Sequence, residues 1–241
     1  AVAVAFALAV VNPSAGNLGG GGFMLLHLAE TNETFSIDYR ERAPNKSFEK
    51  MFQDNSGNVV KGLSLNSILA SGVPGTVSGM FYASEKFGTI KIKNLIKPSI
   101  ELARKGFVLS NFQAENLNKY KEKFSKNTEA KKIFTRPEGF SEGDVFVQNN
   151  LAKTLERIAQ NGKEEFYSGE TAKKISKFFQ TNGGILSLKD LNQYSLRILE
   201  PVCGSYRDYG ICSMAPPSSG GIALIQILNI LENADLSEFE H

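Results

Sequence analysis

Arg40 is the side chain with the plainest chemistry in this chain. It lies within Ser36-Ile37-Asp38-Tyr39-Arg40-Glu41-Arg42-Ala43-Pro44, which follows the turn Asn12-Pro13-Ser14-Ala15-Gly16-Asn17-Leu18-Gly19-Gly20-Gly21-Gly22-Phe23-Met24. A guanidinium is a planar, permanently charged fork of donors, and it fits a carboxylate through two parallel hydrogen bonds. Five glycines in the seven residues from Gly16 to Gly22 relax the steric limits on the backbone, so the turn can pass close to other groups. The combination is a strand-end cation beside a compact turn, suited to holding an acid.

Other catalytic sets are hard to assemble. Of the two histidines, His27 falls inside an expected strand and His241 is the final residue. A strand histidine is more often a hydrogen-bonded structural residue than a base. Two histidines and two cysteines cannot furnish a nitrogen or sulfur metal cage, so no metal is expected. No Gly-x-Ser-x-Gly elbow or P-loop occurs, and the acidic residues show no obvious pair. Ser218 and Ser219 precede Gly220 and Gly221, which could suggest a nucleophile at a helix start. Capping is the stronger reading, because serine oxygens accept the first helical amides and glycines allow close helix packing.

The elements that must position Arg40 are legible from periodicity and turn chemistry. Phe23 to Leu28 and Thr34 to Tyr39 read as paired strands around Glu30-Thr31-Asn32-Glu33. Apolar Ala1 to Val11 reads as a remnant of a buried helix: it lacks a basic leader and is too short to cross a bilayer. The order helix, glycine turn, strand is the reverse of a dinucleotide fingerprint, so no cofactor of that class is expected. Further helices are expected from Thr76 to about Phe87, from Pro98 to Lys105, and from Asn111 to about Phe124. Others run from Asn150 to Asn161, through Ala172 to Phe179, and from Leu188 to Gln193 behind Ser187 and Asp190. The last, Ile222 to Glu232, is apolar nearly all round and is expected to be buried. Between them, Val202 to Met214 reads as a hairpin with Arg207 and Asp208 as its loop. That loop sets Cys203 opposite Cys212 as a close, non-hydrogen-bonded pair. Both a disulfide, which would favour an exported protein, and two reduced thiols fit that geometry. Many helices with few antiparallel hairpins indicate an α+β arrangement.

The bulk numbers exclude some partners. The 241 residues are 41% hydrophobic and 22% charged, with 27 basic against 25 acidic residues and a net charge of +2. Such balance gives no electrostatic case for nucleic acid or an anionic membrane. Basic runs such as Lys119 to Lys132 are interleaved with glutamates and asparagines, as on a solvated helical face. This length can bury one large core or two small ones.

The glycine turn and Asp38-Tyr39-Arg40-Glu41-x-Ala43-Pro44 together resemble the large subunit of the bacterial gamma-glutamyltransferases. Collinear matches extend the resemblance across the chain: Ala70-Ser71-Gly72-Val73-Pro74-Gly75-Thr76-Val77, Leu102-Ala103-Arg104-Lys105-Gly106-Phe107, Phe166-Tyr167-Ser168-Gly169 and Pro216-Pro217-Ser218-Ser219-Gly220-Gly221. The resemblance implies an N-terminal-nucleophile hydrolase, an αββα sandwich, with residues 1–241 a single-domain part of the large subunit. It implies a precursor that cuts itself, and a small-subunit partner whose first residue is the nucleophilic threonine. Ala1 heads this chain, so no catalytic residue is expected on it. In the family, the arginine of the Asp-x-Arg-Glu stretch grips the α-carboxylate of a γ-glutamyl donor such as glutathione, and Arg40 occupies that place. Glu41, its neighbour, is assigned to orienting the site. No cofactor is implied, and relatives are periplasmic or secreted. Related readings are a cephalosporin (glutaryl) acylase, a poly-γ-glutamate-processing enzyme, or a noncatalytic binding scaffold.

Overall fold

A computed structural model of the chain describes residues 1–12, 15–232 and 234. Pro13 and Ser14 of the turn, and the terminal His241, lie outside the described residues. Seven strands occur among those described: β1 (Phe23–Leu28), β2 (Glu33–Asp38), β3 (Phe107–Val108), β4 (Val145–Phe146), β5 (Arg197–Leu199), β6 (Val202–Tyr206) and β7 (Tyr209–Ser213). They form an antiparallel three-stranded sheet in the order β1-β2-β5 and two antiparallel pairs, β3-β4 and β6-β7. The rest is mainly helical, an α+β arrangement. The chain divides into two compact units, one of Ala1–Asn17 with Met80–Lys173 and one of Leu18–Gly79 with Lys174–His241.

The first unit is built on helices. Val2–Val11 packs against Ile92–Lys105, which packs in turn against Asn149–Asn161. Buried Phe6, Val10, Ile96, Ala103, Leu155 and Ile158 lie on these three helices. Val4 and Leu8 remain exposed, so the first helix is covered on one side only. Its terminal carbonyls have no intrahelical partner and take side-chain donors instead: Gln148 Nε2 donates to Val10 O and Gln113 Nε2 to Val11 O, each at 2.8 Å. A satellite core gathers Leu109, Ala114, Leu117, Phe140 and Phe146 beside the β3-β4 pair.

One helix begins earlier than turn chemistry suggests. Pro98 is not at the start of its helix but inside Ile92–Lys105. Proline costs that helix one backbone bond, but the preceding turns carry Ile96, fully buried, into the core. Packing decides the boundary. At the other end, Gly106 with φ 86° terminates the helix as expected.

The second unit holds the three-stranded sheet and the β6-β7 hairpin, on which Gly220–Leu231 lies. That helix corrects an expectation. Only Gly221 is buried, while Ile222, Leu224, Ile227 and Ile230 are exposed, Ile230 to 74%. A two-stranded hairpin covers one side of a helix, and this helix is apolar on nearly every side. Ile225 makes the hairpin contact: a methyl on Gly204 would stand 2.8 Å from its Cγ2.

Candidate functional site

The site begins at the end of β2. Ser36, Ile37 and Asp38 are all fully buried. Ile37 takes one face of the strand while Ser36 and Asp38 share the other. Ser36 Oγ donates to Met214 Sδ at 2.9 Å. Asp38 Oδ1 accepts the Arg40 backbone N–H at 3.0 Å, a side-chain turn that ends the strand and swings Arg40 out of it. Asp38 Oδ2 is held differently. It lies 3.7 Å from Arg42 Nη2 and 3.7 Å from Arg197 Nε, and it has no hydrogen bond among the described residues. Arg197 arrives through register, because β5 sets it directly opposite Asp38.

The Arg40 peptide is held on its far side as well. Tyr194 Oη donates to the Arg40 carbonyl at 2.9 Å. Burial, helped by the negative charges of Asp38 and Glu41 and by Tyr39, pushes the Tyr194 phenol well above its ordinary range. It therefore remains a donor at physiological pH.

The glycine turn brackets this strand end. Gly22 and Tyr39 exchange backbone hydrogen bonds of 3.3 and 3.0 Å, extending the β1-β2 pairing. Gly20 O accepts the amides of Gly75 and Thr76 at 2.8 and 3.1 Å, covering the N-terminus of the helix Thr76–Phe87. Arg42 and Val73 exchange backbone bonds of 3.1 and 2.7 Å. Close approach, more than unusual backbone angles, explains the glycines. Of the turn's glycines only Gly16 has a positive φ, 75°, whereas a methyl on Gly21 would stand 2.6 Å from Tyr39 O. A methyl on Gly75 would meet Tyr39 O at 1.9 Å and Tyr194 Oη at 2.1 Å.

These contacts leave an open cleft of about 450 Å³ lined by Gly19, Arg40, Glu41, Arg42, Ala43, Ala70, Ser71 and Gly72. Arg40 is exposed, its Cζ 5.9 Å from the centroid of the Phe23 ring. Arg42 and Arg197 share Asp38, whereas the Arg40 guanidinium makes no ion pair among the described residues. Chemically this is a cation with spare donors facing solvent, with the carboxylate of Glu41 beside it.

Other sequence-derived candidates do not line this cleft. His27 is exposed, its Nδ1 3.0 Å from Oγ1 of Thr34, its cross-strand partner. Cys203 and Cys212 pair across β6 and β7 and are joined by a disulfide, with Cα atoms 4.1 Å apart. Tyr206 and Tyr209 close that hairpin around Arg207 and Asp208, with Arg207 at φ 53°. Ser218 Oγ accepts the Gly220 amide at 3.3 Å, while Ser219, at the N-cap itself, makes no side-chain cap bond. A methyl on Gly221 would stand 2.1 Å from Met214 O, so this helix start needs its glycine for packing. Among the described residues no group of three His, Cys, Asp or Glu side chains is placed to hold a metal.

Sequence reasoning gave no role to Asp38, Tyr194 or Arg197. An aspartate ending a strand two residues before an arginine is a usable signal for Asp38, since strands disfavour it. Nothing in local sequence links Arg197 to a residue near position 40.

Comparison with known proteins agrees with this architecture. Residues 1–241 match the family model described as Gamma-glutamyltranspeptidase. The chain belongs to the gamma-glutamyltranspeptidase family. It is 47% identical to the "Glutathione hydrolase proenzyme" of Escherichia coli over 241 residues, covering 99% of this chain and 41% of that protein. The chain thus spans about two fifths of the length of the curated relatives it matches. The crystal structure of Helicobacter pylori gamma-glutamyltranspeptidase superposes with a TM-score of 0.96 at 50% identity, covering 100% of this chain and 69% of that one. The Pseudomonas nitroreducens gamma-glutamyltranspeptidase complexed with L-DON follows with a TM-score of 0.90 at 38% identity, over 98% and 71% of the two chains. The gamma-glutamyltranspeptidase fold is that of the N-terminal-nucleophile hydrolases, and this chain carries large-subunit sequence of it.

Proposed function

We propose that this chain is the large-subunit part of an enzyme that cleaves γ-glutamyl amides such as glutathione and passes the γ-glutamyl group to water or an amine. Within that reading residues 1–241 act as one domain of the large subunit, and Arg40 grips the donor's α-carboxylate while Glu41 helps orient the site. The carrying observation is the Arg40 guanidinium, which lines an open cleft without an ion pair among the described residues, while its two neighbouring arginines each stand 3.7 Å from the Asp38 carboxylate. A bidentate carboxylate is the natural ligand of such a group.

The nucleophile belongs to the partner in this reading. The small subunit of the same precursor carries the terminal threonine, whose hydroxyl attacks the γ-carbonyl. The amide bond breaks, the amine leaves with a proton, and a γ-glutamyl ester remains for the acceptor. The uncovered apolar face of Gly220–Leu231 is surface of the kind partners cover. Export to the periplasm or beyond accords with the Cys203–Cys212 disulfide. No helix among the described residues is long and apolar enough to cross a membrane.

The test is donor choice by the full-length matured protein. We expect turnover of γ-glutamyl-p-nitroanilide far above that of glutaryl-cephalosporin. The reverse preference would move the protein to the acylases. The relatives of 47 and 50% identity bear glutathione hydrolase and gamma-glutamyltranspeptidase names, which favours the first outcome.

A further inference from the structure

We propose that Asp38 is a positioning residue for the donor: it sets the direction of Arg40 and keeps Arg42 from competing for the same acid. This rests on the reading of Arg40 given above. Three observations support it. The carboxylate is fully buried beneath an arginine cluster and does not itself line the open cleft. Its Oδ1 fixes the Arg40 amide at 3.0 Å while Tyr194 fixes the Arg40 carbonyl at 2.9 Å, so the peptide carrying the guanidinium is held at both ends. Its Oδ2 stands 3.7 Å from both Arg42 and Arg197, placing one negative charge between two cations.

The consequence is a division of labour among three arginines. Arg42 lines the same cleft as Arg40, and with Asp38 removed it would be a second guanidinium free to bind the incoming carboxylate in another pose. Arg40 would meanwhile lose the bond that turns it out of β2. Both changes weaken binding of a donor through its α-carboxylate, and neither touches the reacting amide. A misplacement of about 1 Å in a positioning group costs up to about a hundredfold in rate.

The experiment uses the full-length matured enzyme with Asp38→Asn, Asp38→Ala and Tyr194→Phe, assayed on γ-glutamyl-p-nitroanilide and on 4-aminobutyryl-p-nitroanilide. The second donor lacks the α-carboxylate and is read at high enzyme concentration. We expect Asp38→Ala to raise the donor KM by about tenfold or more with kcat altered much less. Asp38→Asn keeps an acceptor for the Arg40 amide but loses the charge, so its KM rises by about threefold, and Tyr194→Phe behaves similarly. The descarboxy donor should be turned over equally by all variants. Should Asp38→Ala fail to mature, the Asn and Phe variants carry the test. A donor KM within about twofold of wild type in Asp38→Asn overturns the proposal, as does equal loss on both donors, which a merely structural role would give. Arg40→Lys is run alongside. If it raises KM while Asp38→Asn does not, only the Asp38 proposal falls; if Arg40→Lys also leaves KM unchanged, the reading of Arg40 falls first.

Discussion

Two buried acids in this protein meet arginine in opposite ways. Glu165, in the first unit, is completely bonded. Its Oε1 accepts from Arg157 Nε at 2.9 Å, from Thr171 Oγ1 at 2.8 Å and from the Thr171 amide at 3.1 Å, and its Oε2 accepts from the Glu170 amide at 3.3 Å. Arg157 in turn reaches Thr154 and Thr171 through Nη2. Asp38, in the second unit, bonds through one oxygen and leaves the other between two distant cations. A closed network of the first kind fixes a helix junction and has no capacity left for a ligand. An incompletely matched one, with a third arginine exposed beside it, marks a place where an anion can still be added.

The comparison breaks if the two acids behave alike on mutation. The largest effect expected is on stability at the closed network. Glu165→Ala leaves Arg157 without its carboxylate, and we expect a loss of about 3 kcal/mol in denaturant unfolding of the full-length protein. Activity per folded molecule should stay at the wild-type level. Arg40→Lys is the mirror image. The donor KM should rise strongly and kcat/KM should fall by about a hundredfold, with the unfolding midpoint unchanged. A variant with near wild-type kinetics would remove Arg40 from the donor site.

What was legible in sequence divides along the same line. The Arg40 stretch, the strands beside it and the hairpin register were readable because each depends on neighbours in sequence. The polar turn Glu30-Thr31-Asn32-Glu33 separates the two strands, and a two-residue loop fixes Cys203 opposite Cys212. The capping box of Ser187 and Asp190 was equally local, and in the structure Ser187 Oγ donates to Asp190 at 2.5 Å. What escaped depends on distant segments. Asp38 meets Arg197 only because β5 joins β2, and Asp190 also accepts the Asn45 amide at 2.7 Å, tying down the segment just beyond Arg40. Pro98 misled because its local rule opposed the burial of Ile96. The final helix misled because apolar composition tells what a surface prefers and not what is present to cover it.

Acid titration sharpens the comparison at a smaller scale. Burial pushes the Glu165 carboxyl upward, but the Thr171 hydroxyl, Arg157 and the amides of Thr171 and Glu170 together outweigh it and leave the group below its ordinary range. A depressed folded pKa means stability that is present above the unfolded value, about 4.3, and lost as pH falls through the lower folded one. The stability gap between wild type and Glu165→Gln should therefore be constant from neutral pH to about 5 and close below about pH 4. A gap unchanged down to pH 3 would show that the carboxyl titrates alike in the folded and unfolded chain, and that the network is weaker than its distances suggest.

The smallest effect belongs to His27, which serves as the control for both acids. Its bond to Thr34 joins two side chains across β1 and β2 on an exposed face, where water replaces either partner readily. His27→Ala should change unfolding free energy by no more than about 0.5 kcal/mol and leave donor kinetics unaltered. Arg40 follows the same hairpin, so this substitution asks whether merely perturbing the sheet disturbs the cleft. A tenfold loss of kcat/KM in His27→Ala would mean that it does. The large effect predicted for Arg40→Lys could then no longer be assigned to its guanidinium alone.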